Sequence, residues 1–300
     1  MNGAEQLRRF VDELERDRSL DDPKLIRERL EALDRLDGFR LDSPSPKGGL
    51  SREDAELQNR ARILLTKLGA ANSRFYETVR NAIRNRRGHG ALLIWAAQLG
   101  SKGETALGAG ADDFDRGERY DYLDEFVAGV FSFTEPATPT IALLSDMVAY
   151  QPTPARCVFD LTRRMKLTTR DVFVDLGSGL GYVALLVAVC TKARVIGIEL
   201  EPSYVRCARQ SALELKITNC RFIDQDVRNA DLAAGTVFYL YTPFRGAILG
   251  DVLDRLQAQA RKRKIRVCTF GPCTPIVASE SWLVLNADES SYISVFHSRR

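Results

Sequence analysis

A glycine-rich turn between an apolar strand and an apolar helix constrains this chain more than any other feature. The segment DVFVDLGSGLGY predicts a buried strand that ends at Asp175 and enters a turn with three spaced glycines, Gly177, Gly179 and Gly181. Glycines let the backbone approach a ligand closely, and the helix beyond offers free N–H groups. The segment therefore predicts a ligand-binding strand–turn–helix unit rather than a simple tight turn.

Helical and extended patterns alternate from this turn to the end of the chain. The predicted helices lie near 180–191, 202–216 and 247–263, and the predicted strands are 172–175, 194–199, 220–224, 237–241, 266–270, 282–286 and 292–297. Only five residues join the last two strands, so these should pair as an antiparallel hairpin. The predicted fold class is α/β, a doubly wound seven-stranded Rossmann-like sheet with an antiparallel C-terminal hairpin.

The first 135 residues have apolar residues at helical spacing instead. Two helices are predicted within 4–36, and others over 51–69, 72–87, about 90–99 and 121–131. Gly69 is the predicted C-cap of the helix 51–69. Beyond this region, further helices are predicted at 141–150 and 154–166. The Pro- and Gly-rich stretch 37–50 predicts a linker, and 100–119 a mobile loop. We therefore predict a helical N-terminal domain over 1–135, for acceptor recognition or as a lid, and a catalytic domain over 136–300.

Composition disfavours several classes of protein. The 300 residues are 45% hydrophobic and 28% charged, as in ordinary globular chains, and no apolar run approaches the roughly 18–20 residues that cross a bilayer. The first residues are charged and lack an apolar signal segment, so a cytoplasmic location without a membrane partner is expected. Six cysteines without a C-x-x-C pair, and only two histidines, disfavour a metal centre.

The spacing of the glycines favours one class of ligand. The dinucleotide pattern G-x-G-x-x-G would place its third glycine at position 182, which is Tyr182 in this chain. Asp175 would repel a pyrophosphate, whereas it would attract the α-ammonium group of S-adenosylmethionine. We therefore expect Asp175 and the turn that contains Ser178 to bind S-adenosylmethionine, and a nicotinamide-dependent oxidoreductase is disfavoured.

Acidic residues after the next two strands extend this predicted cofactor site. Glu199 can accept hydrogen bonds from both ribose hydroxyls, or it can cap the following helix, a task that Glu201 serves equally well. Asp226 is expected to accept a hydrogen bond from the adenine amino group while Val227 donates its backbone N–H. A turn-capping role for Asp226 and the use of Asp224 instead are the alternatives.

The end of the fourth strand, FYLYTPF, is expected to face the methyl acceptor. In open α/β sheets, ligands bind outside the carboxyl ends of the strands. Tyr241 and Phe244 are therefore candidates to line a substrate channel, with core packing as the alternative. Tyr241 is expected to contact the cofactor as well.

In their order and spacing, these four segments resemble the seven-stranded, class I S-adenosylmethionine-dependent methyltransferases over about 150–300. The stretch Tyr150-Gln-Pro-Thr153-Pro and the following LTRRMKLTTRDVFVDLGSGLGYVALLVAV are similar to the disruptor-of-telomeric-silencing lysine methyltransferases and their bacterial relatives. This resemblance implies a loop that folds over the cofactor and places Thr153 near its methionine tail. Where that family has paired asparagines and an F-x-F segment, this chain has Tyr-Thr-Pro-Phe.

The resemblance implies direct methyl transfer to a nucleophilic acceptor, with a protein lysine as the first candidate. A small-molecule methyltransferase and a non-catalytic S-adenosylmethionine-binding module are the alternatives. On the predicted helix 73–87, Arg80, Arg84 and Arg87 share a face that can dock an acidic peptide or a phosphate backbone, or can simply be solvated. Aromatic residues are not interleaved among Arg80, Arg84 and Arg87 or in the run Arg261-Lys-Arg-Lys264, so nucleic-acid binding is only weakly supported.

Overall fold

The computed structural model describes residues 3–39, 51–100, 120–133, 136, 140–141, 146–148, 150–242, 244–286 and 292–299. The chain divides into two compact units, Met1–Thr78 and Val79–Arg300. The predicted domain boundary at 135/136 is not where this division falls, and it stays a prediction. The predicted loop 100–119, apart from its first residue, and most of the linker 37–50 lie outside the described residues.

The first unit is helical, as its apolar spacing predicts. It contains α1 (Gly3–Arg16), α2 (Ile26–Asp37) and the larger part of α3 (Arg52–Arg84), with two short 3-10 turns between α1 and α2. Buried leucines and their apolar neighbours from all three helices form one core, which includes Leu7, Leu14, Leu36 and Leu64.

Helix α3 is continuous where two helices were predicted, so the predicted C-cap at Gly69 is wrong. Gly69 lies in the helix interior, and its carbonyl accepts a hydrogen bond from Ser73 Oγ at 3.0 Å. The apolar spacing continues through the glycine, because Leu68, Ala71 and Phe75 are all buried. Packing of this face outweighs the roughly 1 kcal/mol that a glycine costs inside a helix.

The second unit contains one seven-stranded sheet. Its strands are β1 (Val172–Leu176), β2 (Arg194–Glu199), β3 (Cys220–Asp224), β4 (Val237–Tyr241), β5 (Arg266–Phe270), β6 (Leu283–Leu285) and β7 (Ser294–Ser298). The strand order is β3-β2-β1-β4-β5-β7-β6, with β1 to β5 parallel and β7 antiparallel to both β5 and β6. The predicted fold class and the antiparallel pairing of the last two strands are confirmed.

Helices accompany the sheet in the alternating order that the sequence predicts. They are α4 (Gly88–Gly100), α5 (Tyr122–Phe131), α6 (Ala155–Met165), α7 (Tyr182–Cys190), α8 (Pro202–Glu214), α9 (Gly246–Ala260) and the short α10 (Thr274–Ala278). Every residue of β1 is buried, and so are the first four of β4. Strands covered on both faces have nearly continuous apolar sequences, as seen here. Among the described residues, no helix is both long and apolar enough to cross a membrane.

The predicted helix at 141–150 is wrong over the residues that the structure describes. Met147 instead forms an isolated antiparallel bridge with Phe244. The Asp146 carbonyl accepts the backbone N–H of Arg245 at 2.8 Å, and its side chain accepts that of Ala247 at 3.1 Å. Ile141, Met147 and Val148, which are apolar residues of this segment, line a cavity at the end of β4.

Candidate active site

A cavity of about 310 Å³ opens at the carboxyl ends of β1, β2 and β4. The strand order reverses between β1 and β4, which is where open α/β sheets bind their ligands. Its volume lies at the lower end of the range for small-molecule sites. Its wall is mainly apolar and aromatic with a few carboxylates, and consists of Ile141, Met147, Val148, Tyr150, Gln151, Gly177, Gly179, Ile198, Glu199, Leu200, Glu201, Tyr204, Gln225, Asp226, Val227, Tyr241, Thr242, Phe244, Ile248 and Pro272.

The glycine turn follows β1 and is tied to β2 by its backbone. The N–H groups of Gly177 and Ser178 both donate to the Ile198 carbonyl, at 2.9 and 3.0 Å. All three glycines of the turn have positive φ, which explains why the sequence needs glycine there. The turn therefore brings the ends of β1 and β2 together at the cavity.

Two of these glycines also make room for a neighbouring side chain. A Cβ on Gly179 would lie 2.1 Å from a ring carbon of Tyr150, so the ring packs directly on the turn. A Cβ on Gly181 would lie 2.7 Å from ring carbons of Phe222 in β3. Gly181 thus allows close packing of α7 on the sheet, the role that the dinucleotide pattern gives to its third glycine.

Glu199 ends β2, and its carboxylate binds the glycine turn. It accepts the backbone N–H of Gly179 at 2.8 Å and that of Glu201 at 2.9 Å. Burial raises the pKa of Glu199, while these backbone hydrogen bonds oppose the shift. The helix-capping role belongs to Glu201, whose carboxylate accepts the N–H of Ser203 at 3.0 Å at the start of α8. Glu199 is therefore on the cavity wall without being the cap of α8.

Asp175 lies beneath the turn as a buried carboxylate. Burial, and after it the charge of Glu199, raises the pKa of Asp175 to about 8. Its Oδ2 atom and the hydroxyl oxygen of Ser178 are buried without a hydrogen-bond partner. Buried polar atoms without a partner are costly and call for an explanation. The cavity wall contains Gly177 and Gly179 of the turn but neither Asp175 nor Ser178, so the predicted contacts of these two residues with the cofactor stay predictions.

Asp226 and Val227 also line the cavity, but the carboxylate of Asp226 has a partner already. It accepts hydrogen bonds from the backbone N–H of Arg228 at 2.8 Å and from its guanidinium at 2.6 to 3.1 Å. These bonds lower the pKa of Asp226. Asp224 lies at the exposed end of β3 and is outside the wall. The predicted adenine contacts of Asp226 and Val227 stay predictions.

Tyr241 and Phe244 also line the cavity, and their predicted place in an acceptor channel stays a prediction. The Tyr241 ring lies against Phe270, with ring centroids 4.7 Å apart. Phe244 is only 5% exposed and also belongs to the core beneath the sheet. Phe244 therefore both packs in the core and lines the cavity, whereas the ring of Tyr241 is more accessible.

Thr153 does not reach the cavity wall. It is 2% exposed, and its hydroxyl forms a hydrogen bond of 2.7 Å with the hydroxyl of Tyr239 in β4. From the same upstream stretch, Tyr150 and Gln151 line the cavity instead. The predicted contact of Thr153 with the methionine tail of the cofactor stays a prediction.

Several wall residues carry no sequence signal that would identify them. Met147 and Gln225 lie in irregular segments, and Tyr204 lies in the first turn of α8. Tyr204 packs on Tyr150 with ring centroids 5.4 Å apart. Only Tyr150 could have been found, because it belongs to the upstream stretch on which the narrower resemblance depends.

The comparisons with known proteins agree with this geometry. Residues 167–242, which include β1 to β4 and the glycine turn, match the family model described as a methyltransferase domain. These residues have the sequence of a methyltransferase domain. S-adenosylmethionine is the cofactor of this domain, and the chain is an enzyme. No curated protein matches the chain.

Several solved structures resemble about half of this chain. An RNA methyltransferase from Salinibacter ruber in complex with S-adenosyl-L-homocysteine is 24% identical, with coverage of 49% of this chain and 92% of that chain and a TM-score of 0.38. The putative methyltransferase yhhF from Escherichia coli is 13% identical, with 50% and 91% covered and a TM-score of 0.41. Precorrin-6y C5,15-methyltransferase from Geobacter metallireducens GS-15 is 15% identical, with 54% and 94% covered and a TM-score of 0.37.

The residues of the methyltransferase domain fit this cofactor. The partnerless oxygens of Asp175 and Ser178 suit the ammonium and carboxylate end of an amino acid. The carboxylate of Glu199 accepts one backbone N–H on each oxygen, which leaves lone pairs for a ribose diol. The apolar wall between β2 and β4 suits an adenine ring.

Proposed function

We propose that this methyltransferase acts on an amine, and that the acceptor is a lysine side chain of a protein. The observation that supports this most is the pair of aromatic residues at the end of β4, Tyr241 and Phe244, on the cavity wall. Aromatic faces attract alkylammonium groups and pack well on an aliphatic stem. A lysine side chain combines both features.

The chain's own residues divide the work between holding the cofactor and preparing the acceptor. Asp175 and Ser178 would hold the amino-acid end of S-adenosylmethionine, and Glu199 its ribose. When bound, S-adenosylmethionine supplies an electrophilic methyl group on a sulfonium sulfur. Tyr241 and Phe244 would hold the acceptor in line with it, and such positioning accounts for much of the rate in displacement reactions.

An amine must lose its proton before it can attack. Desolvation in the mainly apolar cavity lowers the pKa of an amine, and this effect must outweigh the attraction of the Tyr241 and Phe244 rings for the ammonium form. A dedicated general base is therefore not required in this proposal. The proton would leave to solvent before the acceptor is fully enclosed.

The proposal predicts a selective effect of Phe244→Leu on the acceptor. This substitution keeps an apolar side chain but removes the aromatic face, so kcat/KM for the acceptor should fall about tenfold. Tyr241→Phe retains the ring and should change it less than about threefold. The matched control is Phe133→Leu, an aromatic residue that packs on Tyr182 outside the cavity wall. Binding of S-adenosylhomocysteine by all three variants should match the wild type.

The class of acceptor is tested by methyl labelling. The full chain is incubated with methyl-labelled S-adenosylmethionine and, separately, with protein, nucleic-acid and small-molecule fractions of a cell extract. The proposal predicts label in the protein fraction that is recovered as methyllysine after hydrolysis. Label in small molecules or in nucleic acid overturns the lysine proposal. No label in any fraction, together with tight binding of S-adenosylhomocysteine, favours a non-catalytic module.

A further inference from the structure

A second and larger cavity lies within Val79–Arg300, away from the cofactor site. This basic groove has a volume of about 1180 Å³. Its wall includes Asn219, which directly precedes β3, and Lys192 and Leu167, which come shortly before β2 and β1, so it lies towards the amino ends of these strands. The cofactor cavity lies at their carboxyl ends, and no contact with the cofactor explains the groove.

Cations dominate the charged residues of the groove. The wall contains Arg86, Arg163, Lys166, Lys192 and Lys216, all exposed, against the single carboxylate of Asp160 among its described residues. Asp160 is already bound, at 2.7 Å by Arg163 and at 2.8 Å by Arg164. The excess of positive charge therefore has no counterpart in the wall.

Three of these cations occupy backbone positions that favour glycine. Arg86, Lys166 and Lys216 have φ values of 58°, 45° and 54°, and each follows the end of a helix. At Lys216 the hydrogen bonds are those of a Schellman motif, with Lys216 N–H on the Leu213 carbonyl and Ile217 N–H on the Ala212 carbonyl. Glycine is the usual residue at this position because a Cβ is strained there.

Compensation of the helix dipole does not account for this arrangement. A lysine or arginine in the last helical turn would serve the dipole without any left-handed backbone. Here three separate helices each place a strained basic residue at the edge of the same groove. Strained residues that cluster in this way point to a binding function.

The surface of the groove suits a polyanion better than a protein. Protein interfaces depend on exposed aromatic and apolar anchors. Among the described residues of this wall, Leu93 is the one large apolar side chain that is exposed, and the ring of Phe159 is buried. Phosphate contacts need cations and no such anchors. Two of the three arginines that share a predicted helix face are engaged elsewhere, since Arg80 binds the carbonyls of Gly129 and Val130 and Arg84 binds that of Glu214.

We propose that this basic groove binds the phosphate backbone of a nucleic acid. The cations would contact phosphates rather than bases or sugars, so RNA and DNA of the same length should bind alike and without sequence preference. The proposal does not depend on the acceptor of methyl transfer. The sequence supports nucleic-acid binding only weakly, because the cations of the groove come from separate parts of the chain and form no local pattern.

The test exploits the strained positions. In the full chain, the triple variant Arg86→Gly, Lys166→Gly and Lys216→Gly removes three charges and relieves the backbone, so its Tm should not fall. The control removes three charges outside the groove, with Arg261→Gln, Lys262→Gln and Lys264→Gln. Fluorescence anisotropy then measures the Kd for a labelled oligonucleotide of about 20 nucleotides over a range of salt concentrations of about 0.05 to 0.3 M.

The glycine variant should raise the Kd by at least about tenfold and lower the slope of log Kd against log salt by about 2 to 3. The control should change the Kd less than about threefold. If the glycine variant does not fold, Lys192→Glu is compared with Lys262→Glu, and only the former should weaken binding. Equal weakening by both members of a pair, no binding by the wild type at low salt, or tighter binding of polyglutamate than of the oligonucleotide would overturn the proposal.

Discussion

Asp175→Asn is expected to weaken the binding of S-adenosylhomocysteine by about 100-fold, because a buried charged contact of this kind is worth about 2 to 5 kcal/mol. The same change should leave the protein at least as stable as the wild type. The buried carboxylate of Asp175 has a partnerless oxygen and lies near Glu199, so its ionised form is costly in the free protein. A gain of about 1 kcal/mol corresponds to a Tm higher by roughly 2 to 4 °C.

The matched control for this prediction is Asp224→Asn. Asp224 ends the nearby strand β3 but is exposed and outside the cavity wall. Calorimetric titration should give the same Kd for this control as for the wild type, and thermal unfolding the same Tm. If both variants bind S-adenosylhomocysteine like the wild type, Asp175 does not hold the cofactor.

The stability gain of Asp175→Asn should depend on pH. The pKa of Asp175 is about 8 in the folded protein, because of burial, against an ordinary value of 3.8. Between these values the folded state binds the extra proton, so the contribution of Asp175 to stability is full below about pH 4 and is lost as the pH rises towards 8. The advantage of the variant should therefore grow over this range. A Tm difference that is the same at pH 5 and pH 8 would contradict the shifted pKa.

Gly181→Ala should have the largest effect on the fold. The residue has a φ of 83°, and a Cβ there would lie 2.7 Å from the Phe222 ring and 2.9 Å from the Ala208 Cβ. Strain and overpacking together should cost about 2 to 4 kcal/mol. The Tm should fall by roughly 5 to 15 °C.

Gly250→Ala provides the matched comparison. Gly250 lies within α9, and a Cβ there would meet no atom within 4 Å. This alanine should raise the free energy of unfolding by about 0.5 to 1 kcal/mol, because glycine is unfavourable inside a helix. If Gly181→Ala and Gly250→Ala changed the Tm in the same way, the tight packing of α7 on β3 would be contradicted.

The sheet could be predicted closely because its sequence signals are local. The bounds of β2, β3, β4 and β5 are those predicted from the apolar runs, since strands covered by helices keep a continuous apolar sequence. The errors occurred where tertiary packing outweighed a local signal. Gly69 resembled a helix end, yet the apolar face of α3 continues through it, and Met147 pairs with Phe244 from a distant part of the chain.

In the candidate site, too, the features set by local sequence could be predicted and those set by tertiary packing could not. The positions of Asp175, the glycine turn and Glu199 follow from strand ends, which sequence patterns identify well. The upstream stretch points to Tyr150, but the contact of its ring with Gly179 could not be predicted, because that contact depends on how distant segments of the chain pack. Asp226 and Arg228 have opposite charges and lie two residues apart, but the sequence alone does not show that their side chains are hydrogen-bonded to each other.

The most direct test of the central claim is a calorimetric titration of the full chain with S-adenosylhomocysteine and, in parallel, with NAD. The geometry at Asp175, Ser178 and Glu199 predicts one site that binds S-adenosylhomocysteine and no measurable binding of NAD. Binding of NAD without binding of S-adenosylhomocysteine would contradict the assignment of the glycine turn and of the cavity that it borders.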